Sequence, residues 1–376
     1  MRTAGIICEY NPFHYGHKHQ LDTLRSEYDA IVCVMSGSFV QRGDIAVFDK
    51  WTRAKAALSF GADLVIELPV KYSLSSACGF AEGGIQILDA LGLIDAVSFG
   101  SECGDIAVLE NCAETMLCEP YEVSAKIKEF TACGMSYAKA HAAAYDGILD
   151  SDIISKPNNI LAIEYIKALK KIGSRITPVT LARKGVGYHD LTASGKFASA
   201  TLLREKLKNN EDISEFTPFD FSACERYDIN RLTDIFKYKL ISEGTSAFCN
   251  IPDMERGLDN RFLKAVDKSS ITEMLDFVKT KRYTYTRLSR IVLSVLLELR
   301  GNLSSPEYIR VLGMTDTGRK LLSEMKNTCP LPVVNKVADF DSDAILPDIL
   351  ATNLAALCAD KPVFQNRDYT TSPVIL

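Results

Sequence analysis

Histidine is scarce in this chain, five in all, yet His14, His17 and His19 crowd one short stretch near its start. The local run is Glu9-Tyr10-Asn11-Pro12-Phe13-His14-Tyr15-Gly16-His17, and it begins where the apolar segment Gly5–Cys8 ends. Gly16 stands at the mouth of the amphipathic stretch that follows. These residue types in this order suit a polyphosphate. The first turn of a helix offers an anion unpaired N–H groups and the positive end of the helix dipole. A glycine lets backbone approach the anion closely, and Pro12 stiffens the way in. Two imidazoles held close together can donate to phosphate oxygens as charge builds on a departing pyrophosphate. A surface loop with incidental histidines is the plain alternative. A zinc pair is a poorer one, because no matching second pair of ligands follows and the cysteines are spaced wrongly. No metal site is expected.

A second anion site is expected at Phe197-Ala198-Ser199-Ala200-Thr201-Leu202-Leu203-Arg204. Ser199 is a helix N-cap by residue type, Thr201 adds a hydroxyl in the first turn, and Arg204 follows about one turn on. A guanidinium there offers a two-pronged donor to the β- and γ-phosphates of a nucleotide. A capped helix with an arginine is by itself common and mostly structural, and the functional reading rests on its pairing with the histidine run. His189, in Gly187-Tyr188-His189-Asp190, reads equally as a neighbour of the nucleotide or as a satisfied loop residue.

These groups need a frame to hold them. Gly5–Cys8, Ala30–Met35, Leu64–Leu68 and Ala96–Phe99 are short apolar runs of strand type. Gly16–Tyr28, Lys50–Phe60 and Ser75–Leu91, which lie between them, have helical length and pattern. Strands alternating with helices predict a Rossmann-like α/β domain with a parallel sheet. Right-handed crossovers then gather the loops after the strands on one rim, and Glu9–His17, Ser36–Asp44 and Gly100–Asp105 fall there. Residues 106–155 read mainly as a helical insertion, Ile160–Ile172 as a helix, Ile176–Ala182 as a fifth strand and Ser199–Leu207 as the helix after it. Beyond about residue 215 the alternation fades, and Ile229–Glu243, Ser270–Lys279, Thr286–Leu299 and Thr317–Lys326 read as helices. The expected division is an α/β part over 1–215 and a mainly helical part over 216–376. In Ser36–Asp44, Gly37 and Gly43 read as hinges and Gln41-Arg42 as polar donors, in either a mobile or RNA-contacting loop or an ordinary turn. Lys50, Arg53 and Lys55 on the next helix read as a solvated face, with a face turned to a polyanion as the sharper alternative.

With 376 residues, 47% of them hydrophobic and 24% charged, the composition is that of a soluble globular protein of two or three domains. No stretch approaches the ~20 uninterrupted apolar residues of a membrane span, and the start reaches Glu9 too soon for a secretion signal. Eleven cysteines without a C-x-x-C pair read as reduced, mostly buried thiols of a cytoplasmic protein. The net charge of −5 excludes a strongly cationic coat, but the charge is uneven. Lys279–Lys320 holds nine basic and three acidic residues, a local +6 that leaves −11 for the rest. Within it Lys279-Thr280-Lys281-Arg282-Tyr283-Thr284-Tyr285-Thr286-Arg287 interleaves cations with tyrosines. That pattern suits phosphate contacts with ring stacking on unpaired bases, although a solvated approach to a helix would look similar.

An H-x-G-H run after the first strand, with a late Ser199-x-Thr201-x-x-Arg204 element, resembles the H-x-G-H nucleotidyltransferase superfamily. Longer segments narrow the resemblance: Gly5–His14, Met35–Gly43, Asp63–Pro69, Phe99–Glu102, Ser155–Leu161, Lys279–Thr284 and Val311–Thr315. Together they resemble the bacterial tRNA(Met) cytidine acetate ligase family, from the first residues to beyond residue 335.

The resemblance implies a two-step reaction. Acetate attacks the α-phosphate of ATP to give acetyl-adenylate and pyrophosphate, and the wobble cytidine of elongator tRNA(Met) then takes the acetyl group to become N4-acetylcytidine. It implies ATP contacts from Ile7-Cys8-Glu9-Tyr10-Asn11-Pro12-Phe13-His14-Tyr15-Gly16-His17-Lys18-His19-Gln20, Gly100, Asn158 and Arg183, with a backbone contact alone at Lys184. Acetate is already ionised, so the first step needs alignment and charge neutralisation, which His14, His17 and Arg204 supply with Mg²⁺. Lys281, Arg282 and Arg287 are the expected tRNA contacts. No residue declares itself as a base for the second step, and neither the acetate pocket nor the oligomeric state is readable. The competing functions are a small-molecule adenylyltransferase or pantothenate-synthetase-like ligase, and a non-enzymatic RNA-binding factor on the same scaffold.

Overall fold

A computed structural model of the chain describes residues 1–183, 195–362 and 366–376. Strands β1 (Thr3–Cys8), β2 (Ala30–Ser36), β3 (Leu64–Leu68), β4 (Ala96–Ser101) and β5 (Thr177–Ala182) are all parallel and lie in the order β3-β2-β1-β4-β5. Every residue of β1, β2 and β3 is buried, as in a parallel sheet covered on both faces. Their side chains alternate between two cores. Ile7, Val32, Val34 and Ile66 pack with Phe80, Leu88, Ile163 and Ile166 of helices α3 (Ala77–Leu91) and α4 (Pro157–Ile172). Ile6, Ile31, Cys33 and Val65 pack with Leu21, Ala54 and Leu203 of α1 (Tyr15–Arg25), α2 (Lys50–Ser59) and α5 (Ala200–Lys208). Strand order reverses at β1, which leaves a crevice beyond the carboxyl ends of β1 and β4. Residues 106–155 form the helices Ile106–Leu117, Tyr121–Ala132, Tyr137–Ala144 and Ser151–Ile154.

The C-terminal segment is helical in its middle. Thr233–Glu243, Ile271–Val278 and α6 (Tyr285–Leu296) enclose a core containing Phe236, Phe262, Leu275, Leu288 and Ile291. It then returns to the sheet. β6 (Ile309–Met314) pairs antiparallel with β3, while β7 (Val333–Val334) and β8 (Val374–Ile375) pair parallel with β6. The sheet is therefore mixed at one side, and the stretch after residue 305 is shared with the first part of the chain. An isolated apolar run among helices gives no sign in sequence that it covers the open edge of β3.

The Ser36–Asp44 loop is not a free turn. Phe39–Val40 and Asp44–Ile45 form a small antiparallel hairpin whose Phe39 and Ile45 are buried in the helical core. Gly43 has φ 77°, and a Cβ there would lie 2.5 Å from the backbone nitrogen of Arg290 on α6, so only glycine permits this close seating. Its carbonyl also accepts from the Ser289 hydroxyl.

Lys50 and Arg53 overturn the reading of a solvated helix face, because both are 0% exposed. Arg53 donates to the carbonyls of Glu9 (2.6 Å), Ser36 (3.0 Å), Gly37 and Phe48 (3.0 Å). Lys50 lies 2.8 Å from both the Glu67 and the Asp368 carboxylates. Arg310, counted in the basic stretch, is buried too and donates to the Asn335 carbonyl at 3.0 Å. Among the cysteines only Cys8, Cys33, Cys112 and Cys358 are buried, Cys118, Cys133 and Cys249 are exposed, and all eleven are free thiols. Among the described residues no helix is long and apolar enough to cross a membrane.

Replacing Lys50 with Met leaves two buried carboxylates facing each other with only Arg310, 3.8 Å from Asp368, as a cation beside them. A loss of about 3–5 kcal/mol is expected, as for a buried pair deprived of one partner. Urea unfolding of wild type and variant measures it.

Candidate active site

The site starts from the way α1 begins. His14 is its N-cap, and the side chain folds back so that Nδ1 accepts from the Gly16 backbone N–H at 3.0 Å. A Cβ on Gly16 would lie 2.8 Å from the His14 ring, so the glycine makes room for the imidazole. One turn on, Nδ1 of His17 accepts from the His14 backbone N–H at 3.3 Å, and the two rings stack with centroids 3.7 Å apart. Both Nδ1 atoms act as acceptors, so the ring proton of each neutral imidazole resides on Nε2. Burial pulls the His14 pKa down to about 3, with Arg183 and Arg204 adding to the effect. His17 is lowered as well, by burial first and then by His14 and Arg183. The site thus holds two uncharged Nε2–H donors between two arginines.

The second anion element faces the first. The Ser199 hydroxyl caps α5 by accepting from the Leu202 N–H at 3.1 Å. Arg204 donates to the Asn11 carbonyl at 2.8 Å and to the Thr201 hydroxyl at 3.1 Å. The N-terminus of α5 is therefore tied directly to the loop after β1. Across the crevice, Glu102 accepts from Asn158 Nδ2 at 2.7 Å and from the backbone N–H of Asn159 at 2.8 Å, which fixes the start of α4.

A cavity of about 1060 Å³ joins these parts. Ile7, Cys8, Glu9, Tyr10, Asn11, His14, His17, Gln20, Gly100, Asn158, Arg183, Ser199, Thr201 and Arg204 all line it. Other members of the expected loop serve the frame: Pro12 and Phe13 are buried, Lys18 pairs with Asp22 at 2.6 Å, and His19 sits against the Phe197 ring. Tyr15 lies under the Lys196 ammonium. Lys184 and His189 fall outside the described residues. Sequence reasoning missed cavity residues from the helical part, among them Asp228, Asn230, Thr272 and Tyr285, as well as Asp44 and Tyr165. Their convergence depends on how two distant segments pack, which no local pattern carries. The buttress at Glu102 was visible only as a carboxylate just after a strand.

The basic stretch is more neutral than its count suggests. Glu255 pairs with Arg282 at 2.7 Å and with Arg287 at 2.9 Å, and Arg287 also donates to the Asp253 carbonyl. Arg290 pairs with Asp253 at 2.9 Å. Lys281 is exposed and carries no ion pair among the described residues. With Arg310 buried as well, the local +6 does not form one continuous cationic face. Among the described residues no group of three or more His, Cys, Asp or Glu side chains is placed to hold a metal ion.

The HIGH Nucleotidyl Transferase family model matches residues 1–370. A tRNA(Met) cytidine acetate ligase from Clostridium perfringens is 38% identical, with both chains covered in full. One from a Thermoanaerobacter species is 39% identical over 95% of each chain. Among solved structures, apo Thermotoga maritima TmcAL superposes with TM-score 0.92 at 31% identity, with full coverage of both chains. The same protein bound with alpha-thio ATP superposes with TM-score 0.89 at 30% identity.

The histidine pair has a consequence for stability. The folded-state pKa of His14 lies below the ordinary value of 6.5, so below pH 6.5 the unfolded chain takes up a proton that folded His14 refuses. Its neutral form is held at no such cost above 6.5, and stability is lost as pH falls from there toward about 3. His14→Asn keeps a capping acceptor and should show a shallower decline. Urea midpoints between pH 7.5 and 4.5 test the difference, and ¹⁵N spectra should report the Nε2–H tautomer for both rings.

Proposed function

We propose that this chain, which belongs to the HIGH nucleotidyl transferase family and within it to the tRNA(Met) cytidine acetate ligases, activates acetate with ATP and acetylates the wobble cytidine of elongator tRNA(Met). The observation that carries the residue-level reading is the stacked, neutral His14–His17 pair facing Arg204 across one cavity. ATP lies with its phosphates between the N-termini of α1 and α5. Acetate, already an anion, attacks the α-phosphate, and the α–β bridging oxygen leaves with pyrophosphate. His14 and His17 donate from Nε2 to the oxygens that gain charge, and Arg183 and Arg204 neutralise it. These donors are fixed by the fold before substrate arrives, so little reorganisation is needed at the moment of reaction. Burial keeps both imidazoles from ionising, and as neutral donors they leave the positive charge to the arginines. Among the described residues no group of three or more side chains is placed to hold Mg²⁺, which would come to this site with the nucleotide's phosphates and at most one or two carboxylates, and would neutralise phosphate charge there.

Adenylate formation is the half that needs no RNA. The mixed anhydride is then reactive enough for an aromatic amine, a poor nucleophile. Of the expected RNA contacts, Lys281 and Arg282 keep exposed cations near the start of α6, and we assign the phosphate contact to them. Arg287, half-buried against Glu255 and Asp253, has a bracing role.

Incubation with ATP and labelled acetate, with and without tRNA, tests the reading. Label should enter acetyl-adenylate in both and RNA only in the second; label in neither would refute it. His14→Ala and His17→Ala should each lower acetyl-adenylate formation by on the order of 10²–10³ while the protein stays folded, the usual cost of one lost donor to developing charge.

Joint replacement of Lys281 and Arg282 by Ala should leave adenylate formation intact and weaken tRNA binding. The slope of log affinity against log salt should become shallower by about 1.4–1.8 for two lost phosphate contacts. Equal losses in both half-reactions would show the pair to be structural.

A further inference from the structure

The parallel sheet opens where its strand order reverses. β1 pairs with β2 along its whole length, to Cys8 and Met35, and β4 pairs with β5 to Ser101 and Ala182. Between β1 and β4 the pairing is confined to Ala4 with Ala96 and Gly5 with Val97, although both strands continue. Beyond that point the two strands part, at the place where ligands enter open α/β sheets. On the side of α1 the Gln20 amide reaches the gap and donates to the Ser98 carbonyl at 3.3 Å. On the other side Ile7 of β1 and Phe99 of β4 stand at its edges beneath α3 and α4, and a recess of the nucleotide cavity enters there.

Five residues packed in the core beneath α3 and α4 also line the cavity: Ile7, Phe80, Phe99, Leu161 and Tyr165. They are closely set. A Cβ on Gly84 would lie 2.6 Å from the Ile7 side chain, so α3 sits directly on it, and the Phe99 and Tyr165 ring centroids are 5.6 Å apart. Ile7, Phe80, Phe99 and Tyr165 are only 9%, 3%, 5% and 4% exposed, so these walls leave room for a group of methyl size and not for a base. A nucleoside has wider room along Gly100, Pro157, Asn158 and Ile160, which are half-buried, and Arg183, which is exposed. Of the five lining residues only Tyr165 carries a polar side-chain atom. Its hydroxyl makes no hydrogen bond among the described residues and is not sealed in the core, so it opens on the cavity. Burial keeps the phenol from ionising, with Glu9 and then Cys8 adding to the effect, and a neutral phenol can donate.

We infer that this recess is the acyl pocket: the methyl group of acetate lies among Ile7, Phe80 and Phe99, and the Tyr165 hydroxyl donates to one carboxylate oxygen. The other oxygen is left to face the α-phosphate at the mouth of the gap, where β1 runs on into the histidine loop. Once the adenylate has formed, the same hydroxyl holds the acyl carbonyl oxygen. An apolar end with one oriented polar group is the usual make-up of a small-molecule site. This pocket sorts acids by length and by charge. A methylene more or less in an apolar pocket changes discrimination by about 10–200-fold. A second carboxylate would be buried against hydrocarbon without a partner. Glu9, which also lines the cavity and accepts from the Gln41 N–H at 2.8 Å, adds repulsion against a dicarboxylate.

This inference rests on the ligase reading, and the experiment separates the two. Exchange of labelled pyrophosphate into ATP is followed with acetate and with propionate as the acid. In Tyr165→Phe the KM for acetate should rise about 10–100-fold, as for a lost hydrogen bond to a charged group, with the KM for ATP unchanged. The hydroxyl has no partner in the fold, so the melting temperature should stay that of wild type. Phe80→Leu should cut the preference for acetate over propionate by about tenfold or more. Ile7→Val, a milder change of volume, should move the preference the same way and serves if Phe80→Leu does not fold. An equal rise in both KM values in Tyr165→Phe would put the nucleotide in the recess and overturn the assignment. An unchanged KM for acetate would remove the hydroxyl from it, and an unaltered acid preference in the folded pocket variants would overturn the pocket. Wild-type protein without acetate-dependent exchange would sink the ligase reading itself.

Discussion

A single guanidinium holds the working rim of this protein together. Arg53 reaches from α2 into the space beyond the strands and donates to the carbonyls of Glu9, Ser36, Gly37 and Phe48. Those atoms belong to the ends of β1 and β2 and to the approach to α2. Here the backbone is leaving the sheet, and these carbonyls take hydrogen bonds from the guanidinium. Orphaned in the interior they would each cost about 1–3 kcal/mol. A planar, five-donor group that never loses its charge is suited to satisfy several acceptors at fixed angles. The loop carrying His14 is anchored at Glu9 by this contact, and the hairpin carrying Asp44 is anchored at Gly37. The positions of the phosphate donors and of the hairpin thus share one origin.

Around that anchor the charge state of the phosphate end follows from burial. It strips both histidines of charge, and Arg183 and Arg204 lie close enough to His14 to add to the effect.

How much of this was legible in the residues varies with the range of the interaction. The loop after β1, the capping role of Ser199 and the strands β1 to β5 were readable because each is decided by neighbours within a turn or two. Lys50 and Arg53 were misjudged for the opposite reason. Charged residues on an amphipathic stretch look solvated until the distant groups that bury them are known, and Asp368 lies 318 residues from Lys50. The charge count over the basic stretch shows the same limit: Asp253 and Glu255, which pair with Arg282, Arg287 and Arg290, lie more than twenty residues before Lys279. β6 was overlooked because an isolated strand among helices has no period of its own to announce it.

The pairing of Lys50 with Asp368 also bears on how the chain comes into being. Synthesis proceeds at about 5–20 residues per second, so roughly 16–60 s separate the two residues as they leave the ribosome. For most of that interval β3 has no β6 beside it, and to its end Lys50 has Glu67 but not its second carboxylate. The nucleotide crevice is built from the first two hundred residues, but the edge that steadies its sheet is supplied by the last seventy. A nascent chain stalled between those points would carry every phosphate-facing residue on an unfinished scaffold, with an apolar strand edge open to whatever else is being made nearby.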